Sequence, residues 1–207
     1  MGWWAEHVVP RVVDRALSGD DVEAVRDRAC RGLSGRVLEI GFGSGRNVGH
    51  YPAAVTEVSA VEPSGLGWRL AEQRVAASPV PVRRAGLDGQ RLAADDDAFD
   101  AVLSTFTLCT IPDVRAALAE VARVLRPGGV LHFAEHGGSP DPGVARWQRR
   151  LEPLQRRAFA GCHLTRPIAA LVGEHLEVVN LDESYLPGPR SSRPFGYLYV
   201  GSARVPA

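Results

Sequence analysis

The sequence predicts an α/β fold: a doubly wound, mostly parallel sheet with helices on both faces. Three observations predict it. Strand-like and helix-like stretches alternate along most of the chain. The apolar run Val37-Leu38-Glu39-Ile40 leads straight into glycines at alternate positions, Gly41, Gly43 and Gly45. A second apolar run, about twenty residues further on, ends at the carboxylate of Glu62, as at the carboxyl edge of an open sheet.

Taken in order, residues 5–32 read as helical, with a break near Ser18-Gly19-Asp20-Asp21 where Ser18 or Asp20 can cap a new helix. The first strand is expected at 36–41 and its helix at about 44–50. The second strand covers about 56–62. Ser64 caps a helix running through Ala77, and Pro79 and Pro81 bracket the entry to a third strand at 80–85. Asp88 to Asp97 is an acidic loop with room for one helical turn. A fourth strand runs from Phe99 to Thr105. Pro112 suits the first turn of a helix whose apolar face is Ala116, Ala117, Leu118, Val121 and Leu125. Arg126-Pro127-Gly128-Gly129 is a tight turn into a fifth strand, Val130 to Glu135. After the loop 137–143, residues 144–159 form an Arg-rich helix with Trp147, Leu151, Leu154 and Phe159 near one face. The turn 161–167 enters another helix. A sixth strand lies at about 175–182 and a seventh at 195–202; the Pro/Gly/Ser-rich connection 186–194 allows an antiparallel return. The 207 residues suit one domain, organised as a helical cap (1–35), a core (36–135), an insert (137–166) and a terminal unit (167–207).

Composition narrows the function. The formal net charge is zero, which argues against nucleic acid as a partner. Every strong cation is Arg; the chain has no Lys. Cys30, Cys109 and Cys162 are odd in number and widely spaced, so no metal signature and no secreted disulfide framework is expected, and the cytoplasm is the natural location. No stretch approaches the roughly 18 apolar residues of a membrane span. The lead segment beginning Met1-Gly2-Trp3-Trp4 is amphipathic, and is expected to cap the core, close over a substrate mouth or touch a membrane surface at most peripherally. A monomer or weak homodimer is expected.

The glycine run has a chemical reason. A strand turning sharply into a helix needs residues free to take positive φ, and bare backbone lets a ligand approach closely. Glu62 is then placed to accept hydrogen bonds from two ribose hydroxyls. Dinucleotides and S-adenosylmethionine share this layout. The spacing separates them, because Arg46 stands where a dinucleotide fingerprint wants its third glycine, and Glu39 where such folds carry a small or apolar residue.

The run Glu39-x-Gly41-x-Gly43-x-Gly45 resembles motif I of class I S-adenosylmethionine-dependent methyltransferases. Glu62, Asp88-Gly89, Phe99-Asp100 and the turn Leu125 to Gly129 match further motifs of that family in order and spacing. The resemblance implies a Rossmann-like sheet of seven strands, the last antiparallel, with a helical N-terminal cap and a helical insert after strand 5. It implies a cofactor site drawn from Glu39, Gly41, Gly43, Ser44, Gly45, Asn47, Glu62, Pro63, Asp88, Gly89, Ser104 and Thr105. There Asp88 would meet the adenine amino group, the Gly89 N–H an adenine ring nitrogen, and Gly41 and Ser104 would flank the methionine part. Thr107 to Thr110, Phe133 to His136, Trp147-Gln148, Gly161 to Arg166 and the segment from Arg193 to Tyr199 look like the branch that includes the microsomal alkyl-thiol methyltransferases.

Methyl transfer asks the protein to align a nucleophile and exclude water. A thiol acceptor must also lose its proton, and its pKa lies near 8.5. His136 is the candidate base, with Glu135 orienting it or contacting the acceptor. Trp4, Cys109, Trp147, His163 and Arg166 are the candidate acceptor contacts. The expected acceptor is a small apolar molecule, a thiol first; an amine, phenol, quinone-like molecule or lipid headgroup is the alternative. A cofactor-binding protein without turnover and a nucleotide-dependent oxidoreductase are the readings from other classes.

Overall fold

A computed structural model describes residues 3–206. Seven strands form one sheet: β1 (Gly35–Ile40), β2 (Val55–Val61), β3 (Val82–Gly86), β4 (Phe99–Thr105), β5 (Leu125–His136), β6 (Glu177–Tyr185) and β7 (Tyr197–Arg204). Their order is β3-β2-β1-β4-β5-β7-β6. β7 is antiparallel to both neighbours, β5 and β6, so six strands share one direction. β2, β4 and β7 and the carboxyl-terminal halves of β1 and β5 are mostly buried, because helices cover both faces of the sheet. The edges are charged instead: Arg83 and Arg84 lie on β3, and Glu177, Asp182 and Glu183 on β6. Such edges discourage pairing with another chain.

Among the described residues, seven α-helices surround the sheet: α1 (Trp3–His7), α2 (Val9–Ala16), α3 (Asp20–Cys30), α4 (Gly65–Ala76), α5 (Val114–Val124), α6 (Pro142–Ala158) and α7 (Ile168–Gly173). As expected, Ser64 caps α4 by accepting from the Gly67 N–H. Asp113 does the same for α5 through Ala116 N–H. The largest core cluster joins Leu38, Val102, Leu131 and Phe133 of the sheet to Leu118 and Val121 of α5.

Several expectations change. The N-terminal helix breaks twice, at Val8 before Pro10 and again at 17–19. Gly19, with extended backbone, is the N-cap of α3. The Ser18 hydroxyl instead caps backwards onto the Arg15 carbonyl, and Asp20 lies within the first turn. The helix expected after β1 is only a five-residue 3-10 turn, Arg46–His50, too short to offer a macrodipole. Residues 88–97 contain no helical turn. β5 starts five residues early, because Leu125 already pairs with Phe99 before the chain turns at Gly128. Met1 and Gly2 of the lead segment lie outside the described residues. No helix among the described residues is long and apolar enough to cross a membrane.

Candidate active site

The order β3-β2-β1-β4 reverses its winding direction between β1 and β4, which is where open α/β sheets bind ligands. Gly41, Gly43 and Gly45 leave the end of β1 with φ of 72°, 58° and 72°. At Gly41 a Cβ would strike the Thr107 side chain at 2.0 Å, so the loop there presses against the turn after β4. At Gly43 a Cβ would meet nothing closer than a carbonyl at 3.9 Å. Bare backbone faces open space at Gly43, as a ligand cradle requires.

Glu62 braces this loop. Its two carboxylate oxygens accept from Gly43 N–H and Ser64 N–H, each at 2.6 Å. Burial raises its pKa, against those hydrogen bonds and the charge of Arg84. Two of its roughly four lone-pair sites stay free, enough for a pair of hydroxyls. Asp88 sits exposed beyond β3, where Oδ1 accepts from the backbone and side chain of Gln90. Gly89 packs against Ile40, where a Cβ would come within 2.7 Å. Pro63 is exposed at the entry to α4.

A cavity of about 80 Å³ lies between the loop and α2. Gly41, Gly43, Ser44, Thr105 and Thr107 line one side, and Val13, Asp14, Leu17 and Arg26 face them. Asp14 latches α2 down: its Oδ1 accepts from Ser44 Oγ at 2.5 Å and from Arg46 Nε at 2.9 Å. Burial raises the Asp14 carboxyl, but these hydrogen bonds and the charges of Arg46 and Arg74 outweigh it and leave its pKa below the ordinary value. Arg46, read in the sequence only as the wrong residue for a dinucleotide site, ties the loop to the cap; it reaches Glu23 as well.

Glu39, Gly45, Asn47 and Ser104 do not line the cavity. Gly45 packs on Ala71 and Phe42. Glu39 is buried and accepts from Asn47 Nδ2 at 3.0 Å and Tyr51 Oη at 2.5 Å. Asn47 also donates to Thr105 Oγ1 and accepts from Arg26. These side chains form a buried network under the loop. Burial pushes the Glu39 pKa up to about 7 against the hydrogen bonds from Tyr51 and Asn47. Arg26 Nε, enclosed in the same network, has no hydrogen-bond partner.

The acceptor-side candidates fall differently. Glu135 is fully buried and turned away from His136, as successive strand residues must be. Its carboxylate accepts from Ser104 Oγ, Thr107 N–H and Cys109 N–H, so it anchors the turn after β4 and cannot touch an acceptor. His136 is buried and outside the cavity lining: Nδ1 faces Cys162 Sγ at 3.5 Å, and Nε2 has no partner. Cys109 is buried, with its sulfur 3.8 Å from that of Cys162. Contact with Cys109, opposed by burial and helped by His136, lowers the pKa of the Cys162 thiol, while that of Cys109 is raised.

His163 and Arg166 hold the insert. His163 Nδ1 meets Glu152 at 2.9 Å, and Arg166 donates to the carbonyls of Leu108 and Pro112. Trp147 is 54% exposed and stacked under Arg150, away from the cavity lining. The inward face of α6 is polar, with Gln148, Glu152 and Gln155 at helical spacing. Buried Gln148 bonds to Gly137, Ser139 and Pro194. Trp4 is half exposed, and its Nε1 donates to the Ala158 carbonyl, joining the N-terminal cap to the end of α6.

The family model described as "Methyltransferase domain" matches residues 38–133. The chain is 34% identical over 181 residues to thiol S-methyltransferase TMT1B of Rattus norvegicus, covering 84% of this chain and 72% of that protein. The chain belongs to the class I S-adenosylmethionine-dependent methyltransferases. This methyltransferase is also 39% identical over 143 residues to thiol S-methyltransferase TMT1B of Homo sapiens, covering 65% and 57% of the two chains. Geranyl diphosphate methyltransferase, solved in complex with SAM, shares its fold with a TM-score of 0.68, at 15% identity over 99% of this chain and 92% of that one.

Sequence reasoning missed three residues that line the cavity. Arg26 and Asp14 lie outside the motifs, and Thr107 belongs to a segment read only for its family resemblance; the fold brings all three to the cavity. Arg26 had one available signal, an Arg at an inward position of an otherwise apolar helix stripe, Val22-Val25-Ala29.

Proposed function

We propose that the chain binds S-adenosylmethionine between the glycine loop and α2 and transfers its methyl group to the sulfur of a small, apolar thiol. One observation carries the cofactor half: the open backbone at Gly43 is braced by Glu62, and Arg26, whose enclosed Nε has no partner, lines the same cavity. The acceptor half is supported by the thiol S-methyltransferase relatives.

The residues present fit that cofactor. Glu62 keeps lone pairs for two ribose hydroxyls, Asp88 keeps an oxygen for the adenine amino group, and Arg26 offers the methionine carboxylate a cation. When bound, the cofactor supplies a methyl group made electrophilic by its sulfonium. The chain positions the partners and shuts out water. The cavity is smaller than the several hundred Å³ that bound ligands of this size occupy, so α2 swings outward to admit the cofactor. Asp14 is the only carboxylate among the lining residues, and it is engaged by Ser44 and Arg46. The acceptor therefore loses its proton to solvent, and the thiolate reacts. Three free, buried cysteines suit a reducing, cytoplasmic setting.

The test is incubation with methyl-labelled S-adenosylmethionine and a panel of small thiols, amines and phenols at several pH values. A labelled thioether is expected. Its rate should rise about tenfold per pH unit below the thiol pKa and level off above it. Label on an amine or phenol alone would overturn the thiol assignment. A break in the profile near pH 6.5 would restore a histidine base.

A further inference from the structure

Cys109, His136 and Cys162 are 26 or more residues apart in sequence, and no spacing motif connects them. The fold brings them together from three segments: the turn after β4, the end of β5 and the insert beyond α6. Their ligand atoms all lie within 4.8 Å of one another. In a tetrahedral zinc site, with Zn–S about 2.3 Å and Zn–N about 2.0–2.1 Å, neighbouring donors stand roughly 3.8 Å (S to S) and 3.6 Å (S to N) apart. The observed separations are 3.8 Å between the two sulfurs and 3.5 Å between Cys162 Sγ and His136 Nδ1. Two edges of a coordination tetrahedron are thus already in place.

The surroundings support the same reading. His136 has no other polar anchor, since its Nε2 is enclosed without a hydrogen-bond partner. The Cys109 backbone is fixed by Glu135, and Arg166 clamps the neighbouring Leu108 carbonyl. These contacts fix the backbone that presents the Cys109 sulfur. We propose that Cys109, His136 and Cys162 bind one thiophilic divalent cation, Zn²⁺ in the first instance, through three protein ligands. Two thiolates and an imidazole favour zinc over the oxygen-seeking Mg²⁺ and Ca²⁺. Three protein ligands leave the fourth position to solvent or an exogenous ligand. The bound ion fastens the insert to the carboxyl edge of the sheet.

The full chain, purified under reductant and stripped with EDTA, is titrated with Co²⁺ and then competed with Zn²⁺. One equivalent of Co²⁺ is expected to give sulfur-to-metal charge transfer and tetrahedral d–d bands that Zn²⁺ abolishes. The double variant Cys109→Ser/Cys162→Ser loses those bands, and Cys30→Ala, a buried cysteine outside the cluster, keeps them. No charge transfer in the wild-type chain, or its survival in the double variant, would overturn the site. An intact mass lower by a pair of hydrogens, showing a Cys109–Cys162 disulfide under reductant, would overturn it too. Should the double variant fail to fold, cobalt-edge X-ray absorption on the wild-type chain reads the donors directly. Two sulfurs and an imidazole are required, and any other set contradicts the proposal.

Discussion

Glu62 and Glu39 are both buried acids beside one loop, yet their surroundings give them different work. Glu62 spends one lone pair of each oxygen on backbone amides and keeps the rest for a ligand. Glu62→Ala is expected to weaken S-adenosylmethionine binding by roughly 1–3 kcal/mol, the scale of a lost hydrogen bond to a charged group. Calorimetric titration checks this, and an unchanged affinity would mean that the ribose is held elsewhere. Glu39 is satisfied inside the protein, and burial lifts its pKa from 4.5 to about 7. Between those values the folded chain holds a proton that the unfolded chain has released. Stability should therefore fall as pH rises from about 4.5 to 7 and level off above. Glu39→Gln, which keeps partners for Asn47 and Tyr51, should remove that slope and gain at most roughly 3 kcal/mol relative to wild type above pH 7. Denaturant melts of both chains across this range check it; parallel slopes would show that Glu39 ionises normally. The sequence marks both glutamates as site residues. It cannot show that the partners of Glu39 lie underneath the loop, because Tyr51 and Arg26 sit outside any motif.

At the scale of elements, the cap and the insert decide access. α2 buries only Val9, so polar contacts hold it, chiefly the Asp14 latch to Ser44 and Arg46. Asp14→Ala should release it. A partly exposed latch is worth about 1 kcal/mol, so hydrogen exchange of amides 9–16 should speed up roughly fivefold, with amides of β4 and β5 unchanged. Uniform acceleration across the chain would instead indicate global destabilisation. These elements were the least legible in the sequence. The pattern in 144–159 pointed to an apolar inward face, whereas α6 turns Gln148, Glu152 and Gln155 inward and leaves Trp147 and Leu154 in solvent. Hydrophobic periodicity fails there because the helix packs onto loops with backbone groups to satisfy, where side-chain amides and carboxylates serve better than leucines.

Across the whole molecule, the reading improves wherever the sheet itself sets the constraint. Strands buried on both faces write long apolar runs, and their carboxyl ends fix where ligands sit, so the core and its glycine loop could be read residue by residue. Antiparallel β7 was implied by the family resemblance, and the connection before it allows that return. His136 and Glu135 were not separable in the sequence, since which of two adjacent strand residues faces a ligand depends on the register with β4 and β7. The Cys109–Cys162–His136 cluster was invisible for a related reason: its members meet only after the insert folds back over the sheet edge.

The proposed S-adenosylmethionine site is built from the glycine loop, Glu62 and Arg26. Calorimetric titration of the intact chain with S-adenosylmethionine, S-adenosylhomocysteine and NAD tests it most directly. Saturable binding of the first two at one per chain, with no heat from NAD, is the predicted result. Binding of NAD with no response to the other two would make this a dinucleotide site instead.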